Sequence, residues 1–240
     1  MKYQRVLIKI SGEALRSGRK DDRILDASKL KETAEEIKQI YDTHPGIMIA
    51  VVVGAGNIWR GVFAEEIGIE RATADYMGML GTIINAMALQ SALHDAGVSS
   101  RVMSSIEVPS VAERYIRKRA LRHLEKGRLV IFAGGTGNPY FTTDTTAALR
   151  AMEINANAIL MAKNGVDGVY TSDPRIDKNA RIIKELTFKE LIDKNLKVMD
   201  QTAASLIQNS DIEIRVFAMQ KGNMLKVLSG DDIGTTIRKE

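Results

Sequence analysis

Arg5-Val6-Leu7-Ile8-Lys9-Ile10-Ser11-Gly12 is the stretch that decides the fold: a short β-branched run that ends in a glycine-bearing turn. Its apolar part, residues 6–10, reads as a buried strand, since a brief apolar run bounded by a turn fits a strand covered on both faces. The pattern returns at residues 47–53, 101–106, 129–133 and 158–162. Helical-period segments lie between, at residues 30–41, 73–96, 111–126 and 143–154. In the first of these, Leu30, Ala34, Ile37 and Tyr41 share one stripe, while Glu32, Glu35, Glu36 and Lys38 fall mostly on the other side. Strands alternating with helices favour a mostly parallel sheet covered on both faces, because each crossover must carry the chain back over the sheet. The expected fold class is α/β, a three-layer α/β/α sandwich. The last third changes character, with a hairpin at 166–170, short helices at 187–194 and 202–209, a strand at 214–218 and a final edge strand at 235–237. No repeat or Pro/Gly/Ser-rich linker interrupts the chain, so residues 1–240 are expected to form one domain.

With 240 residues and 45% hydrophobic content, the chain can bury a sizeable core. The absence of cysteine excludes disulfides, thiolate metal sites and a catalytic thiol. The opening apolar run is too short for a secretory leader, and no run approaches the roughly 18 apolar residues needed to span a bilayer. A cytoplasmic protein with no membrane partner is expected. The balance of 34 basic against 30 acidic residues is mild. The densest basic stretch, residues 114–119 with Arg122 and His123, lies in a helical pattern and reads as a solvated face. With only 5% aromatic residues to stack on bases, a nucleic-acid partner is not expected.

Chemistry in such sheets gathers in the loops at the carboxyl ends of the strands. Three of these loops carry glycine: Ser11-Gly12, Gly54-Ala55-Gly56-Asn57 and Gly134-Gly135-Thr136-Gly137-Asn138. Each can bring backbone N–H groups close to phosphate oxygens. Yet no segment reads GxxxxGK[ST], and Trp59 stands where GxGxxG requires its last glycine, so neither of those two phosphate-binding schemes applies. Lys9 interrupts an apolar strand, either as a strand-end lysine reaching solvent or as a cation placed against a transferring phosphoryl group. Thr142, Thr143 and Asp144 precede an apolar helix; they fit a helix cap, and a helix start is also an anion site. Asp200 fits a cap in the same way.

Taken together and in order, six motifs resemble the bacterial UMP kinases, a family of the amino-acid-kinase fold: residues 9–15, 54–61, 75–79, 136–144, 166–174 and 197–200. The resemblance covers nearly the whole chain. It implies transfer of the γ-phosphoryl group of ATP to UMP in pyrimidine nucleotide biosynthesis, with residues about 1–155 mainly binding UMP and about 156–240 mainly binding ATP. Lys9, Arg60, Asp144 and Asp200 would be catalytic. The ATP contacts would come from Lys9, Ser11, Gly12, Gly56, Arg60, Asn164, Tyr170 and Asp173. UMP would be held by Ala55, which replaces a glycine common in relatives, by Asp75 at the ribose, and by Thr136, Gly137, Asn138, Pro139, Tyr140, Phe141, Thr142 and Thr143.

Mg²⁺ would accompany ATP, and no protein ligand is assigned to it. The acceptor phosphate is largely ionised at neutral pH, its second ionisation lying near about 6, so no general base is required. His44, His94 and His123 all lie outside the loops. The family is typically a homohexamer inhibited by UTP and activated by GTP, and His94, Arg101 and Arg128 are the candidate GTP effector site. The competing readings are a same-fold kinase acting on a carboxylate or carbamate and a non-catalytic uridine-nucleotide sensor. Against the first stand Asp75 and the 136–144 loop; against the second stands the joint presence of Lys9, Asp144 and Asp200.

Overall fold

The computed structural model describes residues 2–16, 23–174, 176–196 and 198–240, so Lys197 of the last motif lies outside the described residues. In chain order the strands are β1 (Arg5–Ile10), β2 (Met48–Val53), β3 (Ser100–Ser104), β4 (Glu113–Arg114), β5 (Leu129–Ala133), β6 (Ala158–Lys163), β7 (Val169–Tyr170), β8 (Ile182–Ile183), β9 (Glu185–Thr187), β10 (Glu213–Ala218) and β11 (Thr235–Arg238). The helices are α1 (Ala27–Thr43), α2 (Val62–Glu66), α3 (Arg71–Asp95), α4 (Arg117–Glu125), α5 (Thr143–Glu153), α6 (Phe188–Asp193), α7 (Gln201–Ile207) and α8 (Asn223–Ser229).

Among the described residues, nine strands form one sheet in the order β4-β3-β5-β2-β1-β6-β10-β11-β9. Neighbours from β4 to β10 run parallel, and β11 turns back against β10. Successive side chains of a strand point to opposite faces. Accordingly Val6, Ile8 and Ile10 pack with α1, α3 and α8, whereas Leu7 packs with α4, α5, α6 and α7. This is the expected three-layer α/β/α sandwich. After β1 the chain fills one side of the sheet and then returns to β6 on the other. β1 therefore lies at the reversal point, with the ends of β2 and β6 beside its own.

Three expectations need correction. The helix expected at 111–126 starts only at Arg117, because Glu113 and Arg114 are taken as a parallel edge strand by Met103 and Ser104 of β3. The strand at 235–237 is not an edge, since β9 pairs with it on its outer side. Residues 166–170 do not form a hairpin by themselves: Val169 and Tyr170 pair with Ile183 and Ile182, far along the chain.

Candidate active site

The loops after β1 and β2 meet backbone to backbone. A Cβ on Gly12 would stand 2.4 Å from the Asn57 Oδ1, 2.7 Å from the Gly54 carbonyl oxygen and 2.8 Å from the Gly56 nitrogen, so only glycine fits. Beneath them lies a buried amide pair. Asn57 Nδ2 donates to Asn85 Oδ1 at 3.0 Å, and Asn85 Nδ2 returns a bond to Asn57 Oδ1 at 2.8 Å and another to the Gly54 carbonyl at 2.7 Å. Asn85 is fully buried on α3, so the pair fixes the glycine loop from below. Ala55 is buried and stays out of the positive-φ region, and its Cβ occupies the space left by Gly81 on α3. The Ala55 methyl group is therefore accommodated.

Lys9 points, like Leu7, to the α5 side of the sheet. Its Nζ lies 2.9 Å from Asp144 Oδ1, both side chains being mostly buried. Asp144 stands in the first turn of α5, where a carboxylate also suits the helix dipole. Thr142 caps that helix, accepting from the Asp144 and Thr145 nitrogens at 3.0 and 3.3 Å. The Thr142 hydroxyl in turn donates to Asp200, as does Thr145 Oγ1 at 3.1 Å to Oδ2. Asp200 also caps α7, accepting from the Ala203 nitrogen at 2.8 Å. Thr142 and Asp200 thus cap their helices and also bind one another, which joins the starts of α5 and α7. Arg60 is half-exposed at the cleft rim, paired with Glu13, and donates to the Gly56 carbonyl at 3.2 Å.

The loop after β5 turns on Gly134, Gly135 and Gly137, all at positive φ. Its Gly134 nitrogen donates to Thr82 Oγ1 at 2.8 Å, and Ser105 Oγ donates to the Gly135 carbonyl at 2.9 Å. Arg150 supports Ser105 at 2.9 Å while lying over the Tyr115 ring, a strut running from α5 to the loop. Thr136 Oγ1 accepts from the Asn138 nitrogen. Tyr140 sits at φ 71°, a region costly for a side-chain-bearing residue, and its nitrogen donates to Asp75 Oδ2 at 2.8 Å. Asp75 also takes Arg71 Nε at 3.0 Å. Tyr140 and Phe141 project into solvent.

On the other side of β1, a cavity of about 560 Å³ is lined by Tyr170, Asp173, Lys163 and Val198 among others. The Tyr170 hydroxyl donates to Asp167 Oδ1 at 2.6 Å, which raises its pKa because the carboxylate favours the protonated phenol. Thr235 of β11 is fully buried behind this pocket, accepting from the Val169 nitrogen at 2.8 Å and donating to the Ile183 carbonyl at 2.5 Å. Asn164 lines a different cavity, of about 540 Å³, with Glu13 and Arg60. Ser11, Gly12 and Gly56 belong to the interlocked loops between the two sides.

The effector candidates divide. Arg128 Nη1 stands 3.2 Å from His123 Nδ1, His123 Nε2 stands 3.1 Å from Glu113, and Arg101 stands 3.6 Å from the same Glu113. His94 is exposed beside Asp95 at 3.8 Å and makes no hydrogen bond or ion pair with Arg101 or Arg128 among the described residues. Two residues in the structure were not singled out in the sequence: Asn85, a polar residue inside an apolar helical run, and Lys163, a lysine at the end of an apolar strand as Lys9 is.

Interlocked glycine loops at the reversal point of a mostly parallel sheet, beside a Lys9–Asp144 pair and without a GxxxxGK[ST] segment, define an α/β kinase fold that lacks a P-loop. The chain belongs to the amino acid kinase family, whose model matches residues 4–218. Its relatives there include the uridylate kinase of Limosilactobacillus reuteri (strain DSM 20016), 56% identical over 238 residues, 99% of this chain and 98% of that one. The crystal structure of the UMP kinase from Bacillus anthracis superposes with a TM-score of 0.95 at 43% identity, covering 100% of this chain and 98% of that one. That of the UMP kinase from Ureaplasma parvum gives 0.92 at 41% identity, with both chains fully covered.

Proposed function

We infer that this chain acts as a UMP kinase, transferring the γ-phosphoryl group of ATP to UMP to give UDP and ADP. The observation that carries the inference is the end-to-end identity with uridylate kinases, 56% over 99% of the chain. A phosphate oxygen of UMP attacks the γ-phosphorus, the bond from that phosphorus to the β–γ bridging oxygen breaks, and ADP leaves with the electron pair. No proton need be removed first, because the acceptor phosphate is already mostly ionised.

The residue roles are our reading. Lys9 and Arg60 neutralise charge on the transferring group, Lys9 being held in line by Asp144. Ser11, Gly12 and Gly56 offer backbone and hydroxyl donors to the phosphates. Asp75 reads the ribose of UMP, and Ala55 with residues 136–143 surrounds its uracil and phosphate. Asn164, Tyr170 and Asp173 hold ATP, Tyr170 at the adenine. Residues about 1–155 thus serve mainly UMP and about 156–240 mainly ATP.

Mg²⁺ entering with ATP supplies further neutralisation of phosphate charge. Such an ion keeps several waters and binds largely through substrate phosphates. Among the described residues no group of three or more His, Cys, Asp or Glu side chains gathers into a metal site. Asp144 and Asp200 are the carboxylates in the cleft that would face its waters.

Assembly into a homohexamer is supported by an unburied apolar stripe on α3, with Tyr76, Leu80, Ile84 and Met87 at helical spacing. Inhibition by UTP would follow from the shared uridine pocket. The Arg101, His123 and Arg128 cluster supports an anionic effector such as GTP, with His94 as a more distant candidate. A place in cytoplasmic pyrimidine biosynthesis accords with the reaction, and no helix among the described residues is long and apolar enough to cross a membrane. A coupled assay with ATP, Mg²⁺ and a panel of nucleoside monophosphates tests the substrate: turnover is expected with UMP and little with CMP or AMP, and equal rates on CMP would overturn the uridylate assignment.

A further inference from the structure

We propose that Lys163 is a phosphate-binding residue of the ATP side, its ammonium leaving the Val198 carbonyl to meet the triphosphate chain beside Lys9. The proposal rests on the kinase reading above and adds a cation to it.

Pleating places the residue. Met161 is the register partner of Lys9, and it packs on the same face of the sheet as Leu7. Two residues further along β6, Lys163 emerges on that face too, at the strand end next to that of β1. Two ammonium groups thus stand on adjacent strands below the start of α5, and one of them, Lys9, is paired with Asp144.

Lys163 has no such partner. Among the described residues it forms no ion pair, and its Nζ donates to the Val198 carbonyl at 2.7 Å. A single neutral carbonyl compensates poorly for taking an ammonium out of water. Burial accordingly pushes the Lys163 pKa down, Lys9 pushes it the same way, and Asp144 opposes both. An arriving polyphosphate would reverse this balance by supplying the missing negative charge.

Position agrees with charge. Lys163 lines the cavity of about 560 Å³ that contains Tyr170 and Asp173, and also a neighbouring one of about 530 Å³ formed with Gly165, Asp167 and Met219. It therefore forms part of the wall they share, between the proposed adenine end and the Lys9–Asp144 pair. The competing role is a tether, in which the lysine merely pins Val198 and so positions Asp200 two residues on.

Two substitutions in the full chain separate these roles. Lys163→Gln retains a donor for the Val198 carbonyl but carries no charge, and Lys163→Arg retains charge. We expect Lys163→Gln to raise the KM for ATP at least tenfold and to lower kcat at least tenfold, with the KM for UMP within twofold of wild type. Lys163→Arg should restore most of the ATP affinity. A Lys163→Gln protein with wild-type ATP kinetics would overturn the proposal in favour of the tether, as would a Lys163→Arg protein impaired equally toward ATP and UMP. Calorimetric binding of ATP without UMP reads the same contact independently of turnover. Wild-type turnover on UMP tests the kinase reading separately: a wild type that binds ATP through Lys163 yet fails to phosphorylate UMP would sink that reading and not this contact.

Discussion

The two sides of the cleft are built on opposite plans. Around β1 and β2, backbone lies against backbone, Gly12 has no room for a Cβ, and a reciprocal Asn57–Asn85 amide pair is sealed below. Around β7 and β8, two strands of two residues each carry an exposed Tyr170–Asp167 hydrogen bond over an open cavity. On the proposed reading the first side meets phosphate, whose shape is fixed and whose charge moves during transfer, so small displacements there would cost rate. On the same reading the second meets the far end of a nucleotide that does not react. Close packing is concentrated on the proposed phosphate side, and the other side is held by fewer, more exposed contacts.

The contrast can be broken at either side. The largest effect is expected from Lys9→Ala, which should lower kcat by at least about 10²-fold while changing the KM for UMP little, the scale of losing one preorganised electrostatic donor. A near-wild-type kcat would remove Lys9 from the mechanism. Next comes Asn85→Ala, which deprives Asn57 and the Gly54 carbonyl of buried partners. Leaving such groups unsatisfied costs about 2 kcal/mol, so a melting point lower by roughly 4–8 °C is expected for a chain of this size. A shift below about 1 °C would mean that the amide pair does not clamp the loop. The smallest effect is expected from Tyr170→Phe: with an exposed hydrogen bond removed, the KM for ATP should stay within about threefold and the melting point should not move. A tenfold rise in that KM would show the proposed ATP side to be as exacting as the proposed phosphate side.

Much of this was legible in the sequence because the relevant patterns are local. The runs at 6–10, 47–53 and 129–133 have the period and length of buried strands, and each is found within a residue of its expected bounds. The short helix expected at 187–194 is found as α6, with Thr187 and Glu190 forming the reciprocal cap at its start. What could not be read depends on partners distant in sequence. Residues 111–116 are helical by pattern, and only the edge of β3 turns two of them into a strand. β9 is three residues long, too short to carry a period, and so β11 looked like the edge.

The same reason divides the site. Glycines at 12, 134, 135 and 137 announce close backbone approach or positive φ by residue type alone. Lys163 needed the register between β1 and β6 to be seen beside Lys9. Asn85 needed the position of Asn57, 28 residues earlier in the chain, to acquire a meaning.

Thr235 carries a consequence for synthesis. Its hydroxyl holds Val169 and Ile183 together behind the Tyr170 pocket, and a Cβ on Gly168 would come within 2.8 Å of it. On the ribosome, β1, β2, β3 and β5 emerge first and can pair among themselves, forming the loops proposed to receive UMP. The pocket proposed for ATP stays without its back wall until Thr235 has been added, about 65 residues after Tyr170. A nascent chain can therefore pair the strands of the proposed acceptor side before the back wall of the proposed donor pocket exists.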